Sequence, residues 1–226
     1  MQDRFIVVSG LIGVGKTRFS VALSGMLNYK LLLEPVESNP YLALFYEDPK
    51  KWAYPMQEFL KSRRFAMYQF AAWGIRTGEF GGVVMDRSIH EDTVFAEINM
   101  DMGNIVGLNW ETYLSGFQDM QQFCPEPDLY IYLDASPEIC QIRAAQRGRA
   151  EETDTALGNS DETGIPIDYM RRLHDGYESW IANISSRVKV ARLDWTEFLH
   201  VEDAWSLVKA QMETRSRFTR GLVSGR

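Results

Sequence analysis

Residues 9–18 read Ser-Gly-Leu-Ile-Gly-Val-Gly-Lys-Thr-Arg. Gly10, Gly15, Lys16 and Thr17 fit the spacing G-x-x-x-x-G-K-[ST], and Gly13 leaves one more position without a side chain. Bare backbone there lets the chain curl around an anion and aim successive N–H groups at it. An apolar run, Phe5-Ile6-Val7-Val8, precedes the loop, and an amphipathic run, Phe19 to Leu27, follows it. A strand, a glycine turn and a helix start are thereby implied, and the helix N-terminus adds about half a positive charge. In this chemistry Lys16 reaches the β- and γ-phosphates of a nucleoside triphosphate and the Thr17 hydroxyl ligates Mg²⁺. The loop does not name what receives the phosphate.

Two further places carry chemistry. Glu34 ends the run Tyr29 to Leu33, and Asp86-Arg87-Ser88 ends the run Val83 to Met85. In parallel α/β sheets ligands sit outside the carboxyl ends of the strands. A carboxylate at Glu34 can take a proton from an acceptor hydroxyl; it can equally be a surface glutamate at a strand end. Asp86 can hold Mg²⁺ through water in the Walker B manner, or be an ordinary turn aspartate.

The elements that must position these groups follow from periodicity. Apolar runs at 5–9, 29–34, 83–86, 129–134 and 188–193 read as strands. Helices are predicted from the loop to about residue 28, then at 39–47, 52–76, 88–102, 109–123, 136–146, 166–184 and 201–213. Strands alternating with helices define an α/β fold with a five-stranded parallel sheet flanked by helices. Residues 147–164 change composition, with Arg147-Gly148-Arg149 followed by acidic and small residues, and read as an arginine-containing lid. Residues 1–214 form one domain, and the tail 215–226, rich in arginine, glycine and serine, is expected to be disordered.

Composition limits the function classes. The chain has 226 residues and a formal net charge of −7, which argues against a broad nucleic-acid surface. Cys124 and Cys140 stand in no metal spacing and fit a reducing, cytoplasmic compartment. His90, His174 and His200 are scattered, so no zinc site is expected. No apolar run has the length of a membrane span, and no signal peptide is read.

Beyond the loop, the residues resemble the deoxyribonucleoside kinases, bacterial members especially. The resemblance runs through Glu34-Pro35-Val36, Asn39-Pro40-Tyr41-Leu42, Phe45-Tyr46, Asp48-Pro49, Trp52-Ala53, Gln57, Arg64 and Asp86 to Asp92. It continues at Pro127-Asp128-Leu129, Tyr132-Leu133-Asp134, Arg147-Gly148-Arg149, Glu151-Glu152, Ile165-Pro166, Tyr169, Leu173-His174 and Tyr177 to Trp180. The resemblance implies a phosphate-loop kinase fold, ATP with Mg²⁺ as donor, a deoxynucleoside as acceptor and a homodimer. It implies Glu34 as general base for the 5′-hydroxyl, with Arg87 beside it on the transferring phosphoryl group. Tyr46 and Glu152 would hold the sugar 3′-hydroxyl, and Gln57, Arg64 and Asp92 the base. Arg147 and Arg149 would close onto the ATP phosphates, and Arg143 would stack on adenine. The two departures are His90, where tyrosine is usual, one layer behind the site, and a long acidic stretch at 153–164.

Two other readings compete. A nucleoside monophosphate kinase of the thymidylate kinase kind uses the same loop, but its acceptor phosphate needs cations where Glu34 stands. A kinase-like subunit without catalysis would have no use for Lys16, Thr17, Glu34, Arg87 and Arg149 together. Deoxyadenosine, deoxyguanosine and deoxycytidine are expected as good acceptors and thymidine as a poor one.

Overall fold

The computed structural model describes residues 4–34, 39–148 and 165–223, with residues 215–223 by backbone alone. Five parallel strands run in the order β2-β3-β1-β4-β5: β1 Phe5–Gly10, β2 Lys30–Leu32, β3 Val83–Asp86, β4 Leu129–Asp134 and β5 Val190–Asp194. β1 and β3 are buried along their whole length, because helices cover both sheet faces and only continuous apolar runs suit that position. β5 is an edge and alternates buried with exposed residues.

The helices are α1 Lys16–Leu27, α2 Leu42–Glu47, α3 Pro49–Thr77, α4 Asp92–Asp101, α5 Leu108–Gln121, α6 Pro137–Arg147, α7 Ile167–Ile184 and α8 Val201–Val223. α3 begins where Asp48 accepts the Lys51 N–H (3.2 Å) with Pro49 in its first turn, and stops at Gly78, φ 79°. Its buried stripe runs through Ala53, Met56, Gln57, Lys61, Arg64, Tyr68, Ala71 and Gly74 at helical spacing. Of the three polar residues in this stripe, Gln57 and Arg64 line the cavity described below, while Lys61 turns to Glu58 (2.7 Å) and the Tyr113 carbonyl (3.1 Å).

Several boundaries differ from the sequence reading. β2 is only Lys30–Leu32, so Glu34 stands just past the strand. The stretch 88–102 divides into a 3₁₀ turn, Ile89–Glu91, and α4, because Ser88 and Glu91 form a capping box that restarts the chain. α8 is helical to Val223, past the helix end predicted at residue 213. No proline interrupts residues 201–223, and extending a helix costs far less than nucleating one.

The sheet order places the ends of β2, β3 and β1 side by side, with Val8 opposite Asp86 in register. Among the described residues no helix is long and apolar enough to cross a membrane.

Candidate active site

The loop after β1 turns at Gly13 (φ 81°) and Gly15 (φ 105°), a left-handed backbone that glycine adopts without strain. A Cβ on Gly13 would lie 2.2 Å from the Cys140 carbonyl oxygen, so the loop is pressed against α6. Lys16 opens α1, and its Nζ donates to the carbonyls of Gly10 (3.1 Å) and Leu11 (2.7 Å). Burial, helped by nearby Arg87, lowers its pKa to about 8. The Thr17 hydroxyl donates to Asp86 Oδ2 at 2.5 Å, and the buried Asp86 Oδ1 has no hydrogen-bond partner. Burial raises the Asp86 pKa. An orphaned carboxylate oxygen beside a threonine hydroxyl fits a hard, oxygen-seeking cation.

Opposite the loop stands a buried cluster of ionised groups. Arg87 Nε donates to Glu34 Oε2 at 2.8 Å, and Arg64 Nη2 donates to Glu34 Oε1. Burial pushes the Glu34 pKa up, but Arg64 and Arg87 outweigh it and hold the carboxyl down at about 2. Arg64 also pairs through Nη1 with Asp92 Oδ1, and Tyr113 donates to Asp92 Oδ2 at 2.6 Å. The Phe95 ring lies under both guanidinium groups, 4.7 Å from Arg87 and 5.7 Å from Arg64.

Arg87 is held from several sides. Its φ of 67° is uncommon for a residue with a side chain, and its N–H is fixed to the Val8 carbonyl at 3.1 Å. Arg87 Nη1 donates to the Tyr177 hydroxyl, which donates to Glu91 Oε2 at 2.5 Å. Glu91 Oε1 accepts from Ser9 Oγ (3.0 Å) and the Ser88 N–H (2.7 Å). β1, the 3₁₀ turn and α7 are thus tied together behind one arginine.

A cavity of about 480 Å³ joins the two ends, lined by Lys16, Thr17, Asp86, Glu34, Arg87, Arg64, Gln57, Tyr46 and Arg147 among others. Gln57 is 1% exposed, and its Oε1 has no partner. Of the residues singled out in the sequence, Asp92 does not line the cavity: it is fully buried behind Arg64. Arg143 also stands off it, donating to the Trp195 and Thr196 carbonyls (2.9 and 2.8 Å) with its guanidinium 4.2 Å from the Phe198 ring centre. His90 packs edge-on against Tyr68 at 5.2 Å. Arg149, Glu152 and the acidic stretch lie outside the described residues.

Sequence reasoning gave no role to Phe95, Tyr113, Glu91 or Tyr177. The S-x-x-E spacing of Ser88 and Glu91 was the one local signal; the others meet the site from distant segments. The scattered histidines also hid a juxtaposition. Asp134, His174 and Glu178 bring ligand atoms within 4.8 Å of one another. Arg192 already bridges the two carboxylates, at 2.8 Å from Asp134 and 2.6 Å from Glu178.

An anion-cradling loop facing a carboxylate across one cavity, at the carboxyl ends of a parallel sheet, is the arrangement of phosphate-loop kinases. The sequence profile for deoxynucleoside kinase matches residues 6–215. The chain is 36% identical over 214 residues to a deoxyadenosine kinase of Dictyostelium discoideum, covering 95% of this chain and 81% of that one. It is 34% identical to a deoxyadenosine/deoxycytidine kinase of Bacillus subtilis (strain 168), covering 82% and 80% of the two chains. The fold is shared with deoxyadenosine kinase from M. mycoides solved with bound dCTP: TM-score 0.74, 24% identity, 94% of this chain and 98% of that one. The chain belongs to the deoxynucleoside kinase family. Its reaction is ATP-dependent phosphorylation of a nucleoside at the 5′-hydroxyl.

Proposed function

We propose that the acceptor is a purine deoxynucleoside or deoxycytidine and that Glu34 is the general base. The observation that carries this is that Lys16 and Glu34 line one and the same cavity. The 5′-hydroxyl oxygen attacks the γ-phosphorus, its proton passes to Glu34, and the bond from the γ-phosphorus to the bridging oxygen breaks to leave ADP. Arg87, bonded to Glu34 and close to Lys16, meets with Lys16 the charge that develops on the phosphoryl group. Arg147, at the end of α6 on the cavity wall, closes on the donor phosphates with Arg149. Tyr46 holds the sugar with Glu152, and Gln57, whose Oε1 has no partner, pairs with the base edge. Arg64, anchored by Asp92, completes the base site. Arg143, close to the phosphate loop through Phe198, serves the adenine of ATP.

Thr17 and Asp86 would hold Mg²⁺, which neutralises phosphate charge when bound. We place the enzyme in the cytoplasm, in keeping with its two free buried cysteines, and take the active form to be a homodimer, as the family resemblance implies. Sedimentation checks the assembly.

The deciding experiment offers deoxynucleosides and deoxynucleoside monophosphates with ATP-Mg²⁺ and identifies products by ³¹P NMR. Monophosphates formed from nucleosides are expected. Diphosphates formed from monophosphates alone would overturn the reading in favour of a monophosphate kinase.

A further inference from the structure

Both oxygens of Glu34 are occupied by arginines: Arg87 Nε on Oε2 at 2.8 Å, and Arg64 Nη2 on Oε1. Each oxygen keeps a second lone pair for a 5′-hydroxyl, but with both arginines in place the carboxylate is a weak proton acceptor, and it gains basicity if one arginine withdraws. Arg87 has little freedom to do so, since its backbone bond to Val8, its bond to Tyr177 and the Phe95 face fix it at once. Arg64 is placed differently. Its other terminal nitrogen already rests on Asp92, which Tyr113 pins from α5 at 2.6 Å. Its Nε is buried without a hydrogen-bond partner although the guanidinium lines the cavity. A buried donor with no acceptor costs about 1–3 kcal/mol, more when charged. An acceptor atom on a bound base would relieve that cost and give Arg64 a second place to rest.

We propose that Arg64 couples occupation of the base site to release of the catalytic base: an acceptor atom on the nucleobase draws the guanidinium toward itself and Asp92, freeing Glu34 Oε1 for the 5′-hydroxyl. Arg64 thereby acts as a positioning residue toward Glu34 in addition to binding the base. The inference rests on the reading of Glu34 as general base. While Arg64 holds it, Glu34 is a weak base; the charged groups facing it are Arg64 from α3, Arg87 after β3, Lys16 from α1 and the like-charged Asp86. Water entering the cavity beside ATP would meet a carboxylate weakened as a base, so the same contact suppresses futile hydrolysis until the nucleoside arrives.

The test measures ATP hydrolysis without nucleoside, and nucleoside phosphorylation, in Arg64→Gln. Because that change strands Asp92, Arg64→Gln/Asp92→Asn is made alongside it and is used wherever the single variant does not fold. Nucleoside phosphorylation should fall, while hydrolysis without nucleoside should rise roughly tenfold as the general base regains strength. The acid limb of kcat/KM should also move up from near pH 2 toward the ordinary carboxylate range near 4.5. Adding Glu34→Gln should abolish the gained hydrolysis. Unchanged or lower hydrolysis together with an unmoved acid limb overturns the coupling and leaves the base assignment standing. Full nucleoside turnover by Glu34→Gln alone overturns the base assignment instead.

Discussion

The two ends of the cavity are electrically opposite. At the donor end Lys16 donates to the loop carbonyls of Gly10 and Leu11, and the glycine turns offer bare backbone. At the acceptor end the described charges are paired, Glu34 and Asp92 with Arg64, Glu34 and Glu91 with Arg87. The difference follows from the ligands. A triphosphate brings its own charge and needs an unneutralised cradle. A nucleoside is neutral, so any ionised group facing it must be balanced by the protein, or its burial would be prohibitive. The donor end therefore works by attraction and the acceptor end by exchange of partners.

The largest effects should come from breaking each end at its centre. Glu34→Gln removes the proton acceptor and should lower kcat by roughly 10²–10⁴-fold while nucleoside binding persists. Steady-state rates and calorimetry together check this, and an undiminished kcat would remove Glu34 from the chemistry. Lys16→Ala should cost roughly 10²–10³-fold in kcat/KM for ATP, because a preorganised donor to the phosphates is lost. If nucleoside affinity measured without ATP falls as far, the two ends are not separate.

The balance at the acceptor end also has a stability signature. The Glu34 pKa is about 2 in the fold against an ordinary 4.5, so the unfolded chain binds the proton more readily between those values. Its ion pairs stabilise the fold above pH 4.5, and that stability is lost as pH falls toward 2. Glu34→Gln should start from a lower Tm, with two arginines left short of a partner, and decline less steeply over that window. Parallel Tm-against-pH curves for the two proteins would contradict the matched-charge account.

The two ends were also unequally legible in sequence. The cradle is contiguous, so the spacing of Gly10, Gly15, Lys16 and Thr17 carried its geometry with it. Glu34 and Arg87 were visible as polar residues closing apolar runs, with roles supplied by the family resemblance. The sequence reading placed Asp92 beside the base, whereas in the structure it stands behind Arg64, because Tyr113 and Arg64 claim its two oxygens from α5 and α3. No local pattern reports a partner that arrives from another helix. The same holds for Phe95 beneath both arginines and for the Tyr177 link from α7. The buried stripe of α3 did hold a usable signal, since Gln57, Lys61 and Arg64 fall where apolar residues should.

The smallest predicted effect concerns the base and sharpens the acceptor end most. With Asp92 behind Arg64, discrimination passes to Gln57 and Arg64 themselves. The Gln57 amide can pair with a donor and acceptor on one base edge, and adenine, guanine, cytosine and thymine all offer such a pair. The atom next to that edge differs. Purines present the N7 acceptor there, whereas thymine presents its C5-methyl group. A guanidinium with an unpartnered Nε gains from N7 and loses contact against a methyl. Purine deoxynucleosides should therefore lead, deoxycytidine should follow, and thymidine should come last. Replacing N7 by carbon, in 7-deaza-2′-deoxyadenosine, deletes that acceptor and leaves the Gln57 edge intact. A hydrogen bond to a charged donor contributes about 1.5–3 kcal/mol, so kcat/KM should fall by roughly tenfold or more. If Arg64 only holds the base, the loss appears in KM; if it also releases Glu34, it appears in kcat. The measurement is kcat and KM for deoxyadenosine, its 7-deaza analogue, deoxycytidine and thymidine at fixed ATP-Mg²⁺. Equal values for the first two would show that Arg64 does not meet N7, and thymidine in first place would overturn the base order.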